Sequence, residues 1–342
     1  MPDLDARKQS ILHAVIVEYV RGAEPVGSEL LVQKYTFGVK SATVRNELSE
    51  MSDLGFLEQP HTSAGRIPSD LGYRYYVDRL IVPREPDVVA KQRVKGVAEE
   101  GDALQATLQD TARVLSGLTH LLTVAATVKN QDVVVRNAVV SALGPKQALL
   151  VLVLSNGHME NRMLDCPAGL TLEDVGYANE VLATGIAGKK LRLLTRGKAP
   201  TGGSQATEKL VASCYNATRN VAKEMTRGIL VTEGEEFMLA QPEFQRDTNA
   251  LKSLLETLSD SDLLQDAIQK PKDGVESVTI GREHKNETMH QVSVIRNSFF
   301  VGDTEAGIIA LVGPTRMRYE RSIPLVHYTA RALTEALTKF LG

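Results

Sequence analysis

The sequence has few of the residues that mark whole classes of protein. It contains 2 cysteines, Cys166 and Cys214, among 342 residues, which excludes a disulfide scaffold and any all-cysteine metal site and suits a reducing cytoplasm. Tryptophan is absent, and 7 Phe and 9 Tyr leave the core to Leu, Val, Ile and Ala. A net charge of −3 provides no overall basic field for nucleic acid. We expect a globular protein of about two domains, or three.

Long apolar segments are also missing. The longest uncharged apolar run covers 148–154, which is the length of a strand and far short of the ~20 residues that span a bilayer. The first five residues, Met-Pro-Asp-Leu-Asp, lack the cationic and apolar regions of a signal peptide. We therefore expect a cytoplasmic protein that makes no membrane contact.

The first 82 residues carry dense helix and turn signals. The predicted elements are a helix around 11–19 ended by Gly22, a short helix with Ser28 as its N-cap, a helix 42–54 with Ser41 as its N-cap, strands 56–59 and 66–67 around the loop 61–65, and a helix 71–82. Three short helices and a two-stranded hairpin in this order predict a winged helix-turn-helix.

The rest of the chain mixes strand and helix patterns after a proline-rich boundary at 82–86. Strands are predicted at 122–128, 133–140, 148–154, 228–231, 275–280, 292–300 and 307–312, and helices around 104–122, from Thr171, at 206–227, at 248–268 and at the carboxyl end. Strands separated by a helical block predict one α/β sheet domain that is interrupted by an insertion.

The third predicted helix has two contrasting faces. On a helical wheel Val44, Leu48, Met51 and Gly55 form one stripe, which we expect to be buried. The opposite face holds Ala42, Asn46 and Ser49, flanked by Arg45 and Thr43. Small residues permit close approach, and Arg and Asn can each pair with base edges in the major groove. The alternative is an ordinary solvated helix face.

Two further features would hold DNA beside that helix. Lys40 and Ser41 at its amino end can meet a phosphate with the help of the helix dipole. The turn from His61 to Arg66 can lie along a phosphate strand or in a minor groove, although an ordinary polar turn is an alternative. The candidate DNA-binding residues are Lys40, Ser41, Thr43, Arg45, Asn46, Ser49, His61, Thr62, Ser63 and Arg66.

The charge of this region argues against DNA binding. Residues 1–84 contain 10 Lys and Arg against 11 Asp and Glu, whereas DNA-binding domains are usually basic. Affinity would then depend on two protein copies on the DNA and on local clustering of basic side chains. The expected cluster comprises Lys34, Lys40, Arg45, Arg66 and Arg74.

Other motifs give no support for catalysis, a metal or a cofactor. Residues 184–190 resemble a phosphate loop but lack its spacing, and neither cysteine has a partner at ligand spacing. We expect His284 and His290 to be solvated. Three alternating arginines, Arg316, Arg318 and Arg321, predict either ion pairs with nearby acids or a basic strip that contacts a partner or the DNA-binding domain.

Five motifs carry a family resemblance: 25–28 (PVGS), 41–47 (SATVRNE), 59–68 (QPHTSAGRIP), 72–78 (GYRYYVD) and 313–321 (GPTRMRYER). Together they closely resemble the bacterial heat-inducible transcription repressor family HrcA. The resemblance implies an α+β, multidomain protein with an N-terminal winged helix and a GAF-like α/β domain that carries an inserted dimerising domain. The implied boundaries are 1–82 for the winged helix, 87–168 and 246–342 for the GAF-like domain, and 169–245 for the insertion.

The same resemblance implies a function. The family represses chaperone operons by binding, as a dimer, an inverted-repeat operator called CIRCE, and it depends on the GroEL chaperonin. We therefore expect a homodimeric repressor without enzymatic activity, associated with the nucleoid when active. One alternative is a ligand-gated transcription regulator with an effector in the GAF-like pocket, and another is an enzyme or adaptor whose winged helix binds protein.

Overall fold

The computed structural model describes residues 2–62, 64–100, 104–127, 133–144, 146–155, 157, 159–167, 169–259, 261–268 and 277–341. The chain divides into two compact units. The first comprises the residues up to Ala126 together with those from Leu230 onward, and the second runs Thr127–Ile229. The fold is therefore mixed α and β with more than one domain, which confirms that part of the prediction.

The residues up to Leu80 form three helices, a short hairpin and a fourth helix, and we call them the helix–hairpin segment. Its elements are α1 (Ala6–Gly22), α2 (Ser28–Lys34), α3 (Ser41–Asp53), β1 (Leu57–Glu58), β2 (Ile67–Pro68) and α4 (Asp70–Tyr75), which continues as a π-helical turn (Tyr76–Leu80). The predicted order is confirmed, but the two predicted N-caps are wrong. Gly27 and Lys40 are the N-cap residues, and Ser28 and Ser41 are each the first residue of their helix. The hydroxyls of Ser28 and Ser41 hydrogen-bond to one another at 3.0 Å.

The core of this segment lies between α1 and α3. Ile11, Leu12 and Ile16 of α1 are buried, as are Val44 and Met51 of α3. Gly55 was predicted to share that stripe, but it is exposed, because it follows the end of the helix with a φ of 83°.

Helix α4 approaches the hairpin so closely that only glycine fits at one position. A Cβ atom on Gly72 would lie 2.2 Å from the carbonyl oxygen of Phe56. That distance is far below ordinary van der Waals contact, so the missing side chain at Gly72 sets how α4 packs on the segment.

Beyond Leu80 helices and strands alternate. The helices are α5 (Val88–Glu100), α6 (Leu104–Thr119), α7 (Leu172–Gly185), α8 (Leu191–Leu194), α9 (Gln205–Arg227), α10 (Glu235–Leu239), α11 (Pro242–Arg246), α12 (Thr248–Ser259), α13 (Ser261–Ile268) and α14 (Tyr319–Leu341). The strands are β3 (Leu122–Thr127), β4 (Val135–Ala142), β5 (Gln147–Leu154), β6 (Met159–Asp165), β7 (Leu230–Glu233), β8 (Val278–Ile280), β9 (Val292–Val301) and β10 (Thr304–Pro314).

The first unit is built on a five-stranded sheet with the order β7-β3-β10-β9-β8. One face packs on α10, α11 and α13, where Leu122, Val294 and Ala310 meet Met238 and Phe244. The long helix α14 crosses β9 and packs against α5 and α6. Because helices cover the sheet, its strands are apolar along most of their length rather than alternating.

The helix–hairpin segment is bound to the rest of the first unit by charged and aromatic contacts. Arg74 donates to both carboxylate oxygens of Glu283 at 2.7 and 2.5 Å and to the carbonyl of Val278 at 2.9 Å. The rings of Tyr73 and Tyr319 lie 5.9 Å apart and are both buried. Arg74 was expected to serve DNA binding, but these bonds hold it against β8.

The second unit is a three-stranded antiparallel sheet, β4-β5-β6, that packs on α7, α8 and α9. Residues at even positions of β5, such as Leu150 and Leu152, are buried in this core. The other face carries Val139, Met159 and Met163, which are 43%, 66% and 54% exposed. An apolar sheet face of this kind is left open in the isolated chain.

The predicted insertion boundaries, 169–245, differ from those of the second unit, which runs Thr127–Ile229. Strands β4 to β6 were assigned to the GAF-like sheet, but they pair only with one another among the described strands. Strand β7 was assigned to the insertion, but it pairs antiparallel with β3. An apolar strand pattern shows that a strand is buried and does not show which sheet it joins.

Candidate nucleic-acid interface

Helix α3 presents one polar face outward. Thr43, Arg45, Asn46 and Ser49 are exposed, whereas Val44, Leu48 and Met51 beneath them are buried. Within the described part of the chain the side chains of Thr43, Arg45, Asn46 and Ser49 make no hydrogen bond or ion pair. Their hydrogen-bonding groups are therefore available to a partner, which is the condition that direct reading of base edges requires.

The polar face of α3 is bounded by a basic residue at one end of the helix and an acidic residue at the other. Lys40 precedes the helix as its N-cap residue and is exposed, so it extends the face beyond the amino end. The face ends in the exposed acid Asp53 at the carboxyl end, about 10 Å along the axis from Asn46 at 1.5 Å per residue. A polyanion would therefore be met by the first turns of α3 rather than by the last.

The other acids of α3 are neutralised by the start of α1. Glu47 is buried and accepts from Arg7 Nε at 2.8 Å, and Lys8 Nζ lies 3.2 Å from its second oxygen. Lys8 also lies 3.2 Å from Glu50, and hydrogen bonds to Asp5, Glu50 and Glu47 raise the pKa of Lys8. Glu47 and Glu50 therefore place little unbalanced negative charge on α3, although the same pairs also use Arg7 and Lys8 and leave the net charge of residues 1–84 unchanged.

Several basic side chains of the expected cluster are engaged within the protein. Lys34 pairs with the buried carboxylate of Glu18 at 2.5 Å, and this contact, above all, holds the pKa of Glu18 below its usual value. Arg74 is held by Glu283, and Arg66 donates through Nε to Ser52 Oγ at 2.9 Å. Lys40 and Arg45 remain exposed.

The hairpin between β1 and β2 is closed by its own hydrogen bonds. Gln59 donates through Nε2 to the carbonyls of Thr62 and Ala64 at 3.0 and 3.1 Å. His61 and Thr62 are exposed at the turn, whereas Ser63 lies outside the described residues. Arg66 is half-buried, because its backbone pairs with Val26 and its side chain turns back to the end of α3.

Other side chains that could carry chemistry have structural partners or are buried. Asp174 forms a capping box with Thr171, and Ser204 and Thr207 also donate to its carboxylate, which together hold its pKa far below its usual value. Burial raises the pKa of the Cys214 thiol to about 12, which disfavours the reactive thiolate. No group of three metal-ligating side chains occurs among the described residues.

The prediction for the histidines is wrong for one of them. His284 is buried rather than solvated, and burial is the main cause that lowers its pKa to about 4. His290 is half-buried, and its Nε2 lies 3.2 Å from the carbonyl oxygen of His284.

The three alternating arginines divide into two kinds. Arg316 pairs with Glu243, donates to Gln241 at 3.0 Å and reaches the carbonyl of Val20 at 3.3 Å. Arg318 and Arg321 are exposed, and their guanidinium groups contact no other described residue by hydrogen bond or ion pair. The expected ion pair is therefore confirmed for Arg316 alone.

The chain is similar to one family over nearly its whole length. The family model for the HrcA protein C-terminal domain matches residues 105–323. The heat-inducible transcription repressor HrcA of Desulfitobacterium hafniense is 33% identical over 350 residues, covering 98% of each chain. That of Symbiobacterium thermophilum is 33% identical over 341 residues, covering 97% of this chain and 98% of its own.

A solved structure supports the fold. A crystal structure of a hypothetical protein at 2.2 Å resolution superposes with a TM-score of 0.65 at 20% identity, covering 98% of this chain and 99% of that one. In the portion of the chain that the structure describes, no helix is both long enough and apolar enough to cross a membrane.

Proposed function

This chain belongs to the HrcA family of heat-inducible transcription repressors, and on that premise we propose that it represses chaperone operons by binding a CIRCE-type inverted repeat as a homodimer. The helix–hairpin segment is then a winged helix-turn-helix in which α3 is the recognition helix. The observation that supports this best is the unpaired polar face formed by Thr43, Arg45, Asn46 and Ser49. Arg45 and Asn46 would contact base edges, and Lys40 would contact a phosphate.

The remaining candidates take supporting roles in this proposal. His61 and Thr62 at the turn of the hairpin would meet the DNA backbone as a wing, and we propose the same role for Ser63, which follows them in the sequence. Ser41 and Arg66 are bonded to Ser28 and Ser52, so each would meet DNA only through the polar atoms that those bonds leave free.

The test is a mobility shift with a purified inverted-repeat duplex from upstream of a chaperone operon. We expect specific retention, at least 1,000-fold tighter than for a scrambled duplex on the usual scale of specific recognition, and a steep loss of affinity as salt rises. Equal affinity for both duplexes would contradict the proposal. A weak salt dependence would favour the alternative that the segment binds protein.

We propose that the second unit is the inserted dimerising domain and that the open face of its sheet is the contact between protomers. The exposed apolar side chains Val139, Met159 and Met163 support this. An inverted repeat requires two-fold symmetry of the protein, and a self-complementary sheet face can supply it.

The prediction is that Met163→Glu raises the dimer dissociation constant about 100-fold or more, because the glutamate would be buried without a partner in both protomers. Sedimentation velocity over a concentration series measures the change. Leu172→Glu is the matched control, since Leu172 is 88% exposed in the first turn of α7, away from the sheet. If Met163→Glu dimerises like the control, the sheet face is not the contact.

We propose further that folding to the active state depends on the GroEL chaperonin. Strands β3 and β5 contain no charged residue, and β3 pairs with β7, whose residues lie more than one hundred positions away along the chain. Such non-local pairing forms slowly, and the apolar strands stay exposed until they have paired. Heat that diverts the chaperonin to other proteins would lower the active fraction.

Refolding of operator-binding activity with and without the chaperonin measures this dependence at growth temperature. We expect a higher yield with the chaperonin, and equal yields would contradict the proposal.

A repressor acts where its operator is, so we place the protein in the cytoplasm, at the nucleoid when active.

A further inference from the structure

A cavity of about 730 Å³ opens within the first unit, beside the helix–hairpin segment. Its volume falls within the range of small-molecule sites. The carboxyl end of α1, the segment 84–87, the end of α6 and the start of α14 all contribute to its wall. Its lining residues include Val20, Arg21, Arg84, Arg316, Arg318 and Arg321.

The wall carries an excess of cations. Its five arginines face two carboxylates, Glu85 and Asp87. Each carboxylate is already engaged, since Glu85 pairs with Lys91 at 2.8 Å and Asp87 accepts from the backbone N–H of Ala90 at 2.8 Å. Neither acid forms an ion pair with an arginine of the cavity, and five arginines against two carboxylates leave the lining a formal charge of +3.

Two of the five arginines have carboxylate partners outside the cavity. Arg316 pairs with Glu243, and Arg21 lies 3.5 Å from Glu18. The guanidinium groups of Arg84, Arg318 and Arg321 make no hydrogen bond or ion pair to any described residue. Three unpaired guanidinium groups around one concavity repel one another and are stabilised by a bound anion with several charges.

Part of the lining is apolar. Leu118, Leu121 and Leu325 line the cavity together with His120, whose ring packs edge-on against Phe237 at 5.0 Å. A cavity lined by both cationic and apolar side chains suits a molecule that carries phosphoryl groups and a hydrophobic or planar body.

We propose that this cavity binds a small organic phosphate with two or more phosphoryl groups, of the size of a nucleoside diphosphate or triphosphate, and that its occupancy sets operator affinity. Arg84, Arg318 and Arg321 would each bind phosphoryl oxygens in the two-pronged manner of guanidinium groups. The regulatory half of this proposal rests on the proposed function, whereas binding itself does not.

The link to DNA binding follows from what lines the cavity. Val20 and Arg21 belong to α1 of the helix–hairpin segment, and Arg318 and Arg321 stand at the start of α14. Arg316 already bridges the two by donating to the carbonyl of Val20 at 3.3 Å. A ligand held both by the end of α1 and by the start of α14 would stabilise one placement of the helix–hairpin segment. A ligand shifts an equilibrium by its difference in affinity for the two states.

Titration calorimetry of the full-length protein with ADP, ATP, pyrophosphate and adenosine tests binding directly. We expect ADP and ATP to bind, pyrophosphate to bind more weakly and adenosine not to bind. The double variant Arg318→Ala/Arg321→Ala should weaken binding of ADP and ATP about 100-fold or more, because each charged hydrogen-bonding group contributes about tenfold. The control Arg93→Ala/Arg136→Ala removes two other exposed arginines and should bind as the wild type does.

The outcomes separate the possible sources of the anion. Equal binding by wild type and double variant, or no heat with any phosphate at millimolar concentration, would overturn the proposal. It would also be overturned if a random-sequence duplex displaced ATP and the double variant lost duplex affinity, because the arginines would then be a DNA-backbone contact. If ATP binds as expected but leaves operator affinity unchanged, the regulatory half of the proposal fails. If the protein binds ATP but does not bind the operator, that result contradicts the proposed function and leaves the proposed binding of ATP intact.

Discussion

Replacing Arg45 by alanine should weaken operator binding more than any other single change on the polar face of α3. The Arg45 side chain is exposed and free of partners within the described chain, so its loss leaves the fold unchanged. A bidentate arginine–guanine contact contributes about 1–3 kcal/mol, and a homodimer would lose it in both half-sites, or about 2–6 kcal/mol in total. The dissociation constant should therefore rise about 30-fold or more. A mobility shift at fixed salt concentration measures it.

The matched control for Arg45→Ala is Arg93→Ala on α5, which removes the same charge from another exposed position. A contact to a base also predicts that Arg45→Ala relaxes selectivity at one position in each half-site, whereas loss of a phosphate contact weakens all sequences alike. Unchanged affinity for the operator in Arg45→Ala would remove this residue from the interface.

Replacing Gly72 by alanine adds one methyl group, yet we expect it to destabilise the helix–hairpin segment strongly. The added methyl group would meet the backbone carbonyl of Phe56 at 2.2 Å, and a backbone carbonyl cannot turn aside as a flexible side chain can. Overpacking costs about 1–3 kcal/mol, and we expect the upper end because α4 must move. Thermal unfolding should show a loss of about 6–12 °C at 2–4 °C per kcal/mol, and operator binding should fall with it.

Gly96→Ala is the control for that experiment, because it makes the same chemical change inside helix α5. A Cβ on Gly96 would meet nothing within 4 Å. Alanine should therefore raise stability there by about 0.5–1 kcal/mol through its better helix propensity. Similar unfolding temperatures for the two variants would contradict a tight contact between α4 and the backbone of Phe56.

The polar face of α3 could be predicted from the sequence because helical periodicity assigns each side chain to a face. Arg45, Asn46 and Ser49 are exposed as predicted, and Val44, Leu48 and Met51 are buried. The free state of Arg45 could not be predicted in this way. It depends on which acids lie nearby in three dimensions, and Glu47 and Glu50 of α3 are paired with Arg7 and Lys8 of α1.

The basic residues show the same division. Lys34, Arg66 and Arg74 have the residue type that DNA binding requires, yet each is bonded within the protein. The partner of Arg74, Glu283, is 209 residues away in the chain. Short-range patterns carry no information about a contact at that separation, so charge counting along the chain overestimated the basic cluster.

By itself the sequence determined the order of helices and strands in the helix–hairpin segment, the two faces of α3 and the family, because these depend on periodicity and on local motifs. The tertiary structure alone decided that β4, β5 and β6 leave the main sheet, that β7 joins it, and that Arg318 and Arg321 remain unpaired at a cavity beside α1. The physical reason is that strand pairing and ion pairing join residues far apart in the chain, and such pairings are chosen by the packing of the whole fold.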